Sequence, residues 1–183
     1  MKYIVMVMLS TLLLAFTPVQ DIYSLVIKTI DGQAVALSQY KGKKLLVVIL
    51  PVSATDTTIT VQQISALQKR YDKSVMIIGV LSEEVGYHKK DDSKLKKMYD
   101  NPKNTFLITE GMKVKKDSLD KQTPLFKWLT NKGTNKHFNN DVKGVGHKFF
   151  IDEAGELYAV IGSEIRLDNP MIDRILSKPL SKH

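Results

Sequence analysis

The sequence predicts an α/β fold: one central mixed β-sheet with helices on both faces and a β-hairpin at its N-terminal side. Three stretches predict it. Residues 45–52 form an unbroken aliphatic run, as expected of a strand buried on both faces. Val61, Ile64, Leu67 and Tyr71 then recur at helical spacing, and residues 74–81 form a second aliphatic run. A strand, a helix and a strand in that order make a parallel pair joined by a right-handed crossover.

The remaining elements follow in chain order. Apolar segments at 25–30 and 34–37 flank Asp31-Gly32, a turn pair that favours a hairpin. Asp56 or Thr57 is the expected N-cap of the helix after the 45–52 strand. Residues 91–99 suit a short basic helix with Leu95 and Met98 inward, stopped by Asn101-Pro102. Residues 105–109 suit a short strand. A helix is expected over 123–129, with Pro124 in its first turn and Gly133 beyond its end. Residues 134–145 are polar and glycine-containing, hence a loop. Residues 147–152 and 157–161 read as a hairpin around 153–156, and Asn169 caps a last helix over 170–178. No repeat, linker or low-complexity stretch divides residues 21–183, which are expected to form one domain.

Residues 1–20 read differently. Lys2 precedes an apolar run over 4–16, then Pro18 and Gln20 lead to the first acidic residue, Asp21. That run is short for a membrane span and suits a signal peptide. An exported bacterial protein, periplasmic or extracellular, with no membrane span in its mature chain is therefore expected. The chain contains no cysteine, so it has neither a disulfide framework nor a lipidated N-terminal cysteine. Its net charge of +8 is almost all lysine, arginine occurring only at positions 70, 166 and 174. Scattered lysines without an arginine-rich motif argue against nucleic-acid binding. They fit a solvated surface that can meet an acidic partner or ligand.

Several segments together resemble the glutathione peroxidase family, a branch of the thioredoxin fold. They are Ile22-Tyr23, Asp31-Gly32, Leu37-Ser-Gln-Tyr-Lys-Gly-Lys43, the strand over 44–52 and Leu67-Gln-Lys-Arg-Tyr71, followed by Thr105-Phe106, Pro124-Leu-Phe-Lys-Trp-Leu129 and Lys148-Phe-Phe-Ile-Asp-Glu-Ala-Gly155. They occur in family order and cover most of the chain after residue 20. The resemblance implies a thioredoxin-like fold and, by descent, hydroperoxide chemistry linked to oxidative stress. It also implies where that chemistry would sit. The family's cysteine or selenocysteine falls at Ala54 or Thr55, its glutamine near Glu84, and its tryptophan-asparagine pair on Gly144 and Val145. All four landmarks are altered. Trp128 belongs to the helix segment and does not replace the missing tryptophan.

The altered positions decide what chemistry remains open. A peroxidatic group must be a polarisable thiolate that attacks an O–O bond and survives as a sulfenic acid. The hydroxyls of Ser53 and Thr55 ionise far above neutral pH and have no such oxidised state. The turn could instead hold an anion on free helix N–H groups from Thr57 onward, aided by Ser53, Thr55, Thr57 and Thr58, unless Asp56 caps them. Asp56, Glu84 and His147 could alternatively form an acid/base or metal cluster, although His147 is expected at the surface and no ligand spacing supports a metal. His88 and His137 lie in polar loops and read as solvated; His183 ends the chain. Two readings follow: a binding scaffold without thiol chemistry or cofactor, keeping Ser53, Ala54, Thr55, Asp56, Glu84, Val145 and His147 as a vestigial pocket, or an enzyme acting through family chemistry or the altered cluster.

Overall fold

The computed structural model describes residues 21–100 and 105–179; the expected signal peptide over 1–20 and the expected Asn101-Pro102 helix stop lie outside them. Among the described residues no helix is long and apolar enough to cross a membrane. The hairpin pairs β1 (Val26–Lys28) with β2 (Ala34–Ala36) antiparallel, and Gly32 takes a φ of 80° at its turn. It forms a sheet of its own.

The central sheet has five strands in the order β5-β4-β3-β6-β7. β3 (Lys44–Ile49) and β4 (Val75–Ser82) run parallel, joined through α1 (Val61–Arg70), as the aliphatic runs predicted. β5 (Leu107–Met112) extends the parallel set, while β6 (Lys148–Ile151) and β7 (Leu157–Ile161) form the expected antiparallel hairpin. β3 ends earlier than the apolar run does, yet Leu50 N–H still donates to Val80 O at 2.9 Å. β5 begins later than the sequence suggests and includes Glu110 and Gly111. Gly111 is required there, because a Cβ would lie 1.9 Å from the Tyr87 ring.

Helices cover both faces. On one face α1, α2 (Asp92–Met98) and α5 (Pro170–Ser177) enclose Leu46, Val48, Ile64, Leu67, Leu95, Phe150 and Ile172. On the other, α3 (Pro124–Thr130) and the hairpin enclose Leu45, Val47, Phe126, Trp128 and Phe149. Burial of these apolar side chains, each worth about 1.5–3 kcal/mol, is what holds the layers together. Gly133 lies beyond the end of α3, as expected, but within a further short helix, α4 (Lys132–Asn135), which takes in residues 134–135 expected as loop and whose first turn Asn131 caps.

Two buried polar side chains fix the ends of this frame. Gln68 of α1 donates to Val75 O at 2.8 Å and accepts from Ile77 N at 2.9 Å, pinning the crossover helix to β4. Lys44, at the start of β3, donates to Leu176 O at 2.7 Å and also to Lys178 O. Its ammonium thus meets the last carbonyls of α5, where the helix dipole favours a cation.

Candidate functional site

The turn of interest follows β3. Leu50 and Pro51 are buried, and the chain then surfaces through Ser53, Ala54 and Thr55, all exposed. Ser53 and Thr55 hydroxyls bond each other at 2.8 Å, Thr55 N–H donates to Ser53 Oγ at 3.3 Å, and Asp56 N–H donates to Ser53 O at 3.1 Å. The turn is therefore self-contained: its hydroxyls are spent on each other. Beneath it the buried Tyr99 hydroxyl donates to Pro51 O at 2.7 Å. Burial, with the Asp56 charge adding to it, raises the Tyr99 pKa strongly.

The helix after this turn starts later than expected. Thr60, not Asp56 or Thr57, is the N-cap: Gln63 N–H donates to Thr60 Oγ1 at 3.3 Å and Gln63 Oε1 accepts from Thr60 N at 2.9 Å. That reciprocal pair is a capping box, and buried Ile59 draws the chain inward just before it. Asp56 instead accepts from Thr58 N at 2.9 Å, an Asx turn inside the loop. The correction removes the anion reading, because the free helix N–H groups belong to residues beyond Thr60 rather than to the turn.

Glu84 lies in a short 3-10 turn after β4, held by Ser82. Its carboxylate accepts from Ser82 Oγ at 2.8 Å, from Val114 N at 3.0 Å and from Lys115 N at 3.2 Å. It braces the end of β4 against the chain leaving β5.

His147 is buried at 3% exposure, which corrects the expectation of a surface position. It precedes β6, but β6 is an inner strand, and Ile49 N–H of β3 donates to His147 O at 3.0 Å. The imidazole stacks on Phe149 with centroids 4.8 Å apart. Nδ1 accepts from Lys143 N at 3.0 Å, so the neutral ring carries its proton on Nε2. Burial first, then the Lys148 and Lys143 charges, push its pKa down to about 4, against weaker pulls from Glu164 and Asp141.

Gly144 and Val145, at the family's tryptophan-asparagine positions, lie in the loop before His147, with Gly144 at φ 131° and Gly146 at φ 80°. A Cβ on Gly146 would come within 2.9 Å of Thr58 Cγ2, so this loop and the one after β3 touch there. Lys148 is fully buried, a feature the sequence reading missed. Its ammonium donates to Gly146 O and, at 2.9 Å, to Gly162 O. Burial pushes its pKa down to about 8, with Glu164 opposing. A lysine at an inward position within the apolar segment 148–151 was the available signal.

Asp56, Glu84 and His147 are thus each bonded to different backbone groups. Among the described residues no group of three or more His, Asp or Glu is arranged to hold a metal ion. His88 is exposed as expected. His137 is also exposed but not merely solvated, its Nε2 lying 2.6 Å from Glu156 Oε2. His183 lies outside the described residues. A groove of about 340 Å³ lies between the hairpin, α2 and β5, lined by Thr29, Asp31, Lys96, Tyr99 and Phe106.

Comparison with known proteins now bears on this geometry. The glutathione peroxidase family profile matches residues 22–130. The chain belongs to the glutathione peroxidase family. It is 31% identical over 144 residues to the glutathione peroxidase homolog BsaA of Staphylococcus epidermidis, covering 75% of this chain and 86% of that one. It is 34% identical over 95 residues to a chloroplastic peroxiredoxin Q of Suaeda salsa, covering half of this chain and 41% of that one. Among solved structures, Trgpx in its apo form is 21% identical with a TM-score of 0.61, over 86% of this chain and 93% of that one. The thioredoxin domain of a thiol-disulfide oxidoreductase from Bacteroides vulgatus, at 16% identity and a TM-score of 0.53, covers 84% and 93%. These structures show the thioredoxin-like fold. Within the glutathione peroxidase family this chain is a degenerate member, having no cysteine.

Proposed function

We propose that this glutathione-peroxidase-family protein has no thiol peroxidase activity and acts, after export, as a binding scaffold. The observation that carries the reading is the turn itself. Where the family places its chalcogen stand Ala54 and Thr55, with the Thr55 hydroxyl bonded to Ser53 and no cysteine anywhere in the chain. Reduction of a hydroperoxide by the family's route needs a thiolate nucleophile and a sulfenic intermediate, and a hydroxyl supplies neither. The other landmarks support the same reading. Glu84 is committed to the Val114 and Lys115 amides, and Gly144 and Val145 offer no side-chain hydrogen-bond donor.

The apolar core on both sheet faces is retained, so the frame persists without the reaction. Its lysine-rich surface suits an acidic protein or small anionic ligand as partner, held by long-range attraction rather than by a base-reading motif. Export rests on Lys2 and the apolar run over residues 4–16. The test is hydroperoxide consumption by the purified protein, with hydrogen peroxide and a lipid hydroperoxide, and glutathione or thioredoxin as reductant. The reading predicts rates equal to those of an unrelated control protein. Turnover clearly above that control would overturn it.

A further inference from the structure

The loop of residues 141–146 is held by backbone bonds, by the Asp141 carboxylate, by the Lys148 ammonium on Gly146 O and by the His147 ring, while His147 N–H donates to Gly144 O at 3.3 Å. Asp141 accepts from Lys116 N at 3.1 Å, Val142 is buried, and Gly146 N–H donates to Ile49 O at 2.8 Å. Between these anchors the Lys143 N–H docks on His147 Nδ1. Gly144 and Gly146, both at positive φ, lie on either side of Val145 and mark where the backbone can turn. The loop touches Thr58 of the segment following β3, so its position governs how it meets the chain after the old active-site turn.

We propose that His147 is an acid-operated latch on this loop: the neutral ring holds the loop closed through Lys143 N–H, and protonation releases it. A protonated imidazole carries hydrogen on both nitrogens. Nδ1 then cannot accept from Lys143 N–H, and two donors face each other. The charged groups around the ring add to the effect. Lys148 on β6 and Lys143 on the loop repel the imidazolium; Glu164, after β7, and Asp141 on the loop attract it more weakly. Opening lets the ring reach water, where its charged form is no longer penalised by burial, and uncovers Val142 and Phe149. The inference goes beyond the scaffold reading, since it assigns this loop a regulated position whatever the protein binds.

The burial-depressed titration supports the geometry and sets the size of the effect. If the ring titrates near 4 closed and near 6.5 open, opening becomes about twentyfold more favourable at pH 5 than at neutral pH. Amide hydrogen exchange of the full chain reads this directly. After correction for the intrinsic rate, Lys143 protection should fall about twentyfold between pH 7 and pH 5, while the Val47 and Val48 amides of β3 keep theirs. His147→Gln keeps a side-chain acceptor that does not titrate, and its Lys143 protection should not depend on pH. Equal Lys143 protection at the two pH values in the unaltered chain would overturn the latch, as would an unchanged pH response in His147→Gln. Should that variant not fold, NMR titration of the His147 ring in the unaltered chain decides. A midpoint well below 6 that tracks loss of Lys143 protection supports the latch, and an ordinary midpoint of about 6.5 refutes it.

Discussion

Glu84 offers the sharpest test of the idea that an old catalytic position has become a structural one. Glu84→Ala removes the acceptor for two backbone amides, Val114 at 3.0 Å and Lys115 at 3.2 Å, and for the Ser82 hydroxyl at 2.8 Å. Hydrogen bonds to a charged acceptor contribute about 1.5–3 kcal/mol each, and buried donors left unpaired cost a similar amount. Glu84 is only half-buried, so water recovers part of that loss. The expected destabilisation is about 2–4 kcal/mol. Glu84→Gln keeps one amide oxygen in reach and should cost about 1 kcal/mol. Urea denaturation followed by circular dichroism at pH 7 measures both. A Glu84→Ala loss below about 0.5 kcal/mol, or a Glu84→Gln loss as large as that of Glu84→Ala, would refute the brace.

Three further predictions concern the frame. Lys148 has its pKa lowered to about 8 from 10.5, so the unfolded chain binds more protons between those values and stability rises with pH across that window. Lys148→Met should flatten the rise, worth about 3 kcal/mol at most, in denaturation curves recorded from pH 7.5 to 10.5. Thr60→Ala removes half of the capping box and should lower stability by about 1 kcal/mol, read as a fall in Tm. Gly79→Ala places a methyl 2.5 Å from Leu50 Cδ1 and 2.9 Å from Ile108 Cδ1, and this overpacking should cost about 1–3 kcal/mol by the same denaturation assay.

The sequence made the frame readable because the frame rests on patterns that have a period. The aliphatic runs of β3 and β4, the 3.6-residue spacing of α1, the Asp31-Gly32 turn and the Asn169 cap all act locally, and each element formed, β3 ending earlier and α1 starting later than expected. What escaped was set by contacts distant in the chain. His147 looks like a surface residue until the antiparallel pairing of β6 with β3 places it inside the sheet. Lys148 and Lys44 are buried because carbonyls far along the chain, at Gly162 and at Leu176, accept from them. The cap was misplaced for a smaller reason. Asp56 and Thr60 both suit an N-cap, and only the inward course of Ile59 and the reach of Gln63 choose between them. At the candidate site the altered residues were legible one by one, but their new partners, above all those of Glu84, were not.

The proposed function requires the whole peroxidatic apparatus to be gone, not only its cysteine. The most direct measurement restores the sulfur alone. Ala54→Cys and Thr55→Cys each place a sole thiol in the turn, and its reaction with hydrogen peroxide can be followed against pH. Either thiol should titrate near the ordinary value of about 8.5 and react no faster than free cysteine, since Asp56 and Glu84 supply no positive charge and no vacant donor. A thiolate formed well below neutral pH in either variant, with oxidation orders of magnitude faster than free cysteine, would contradict it.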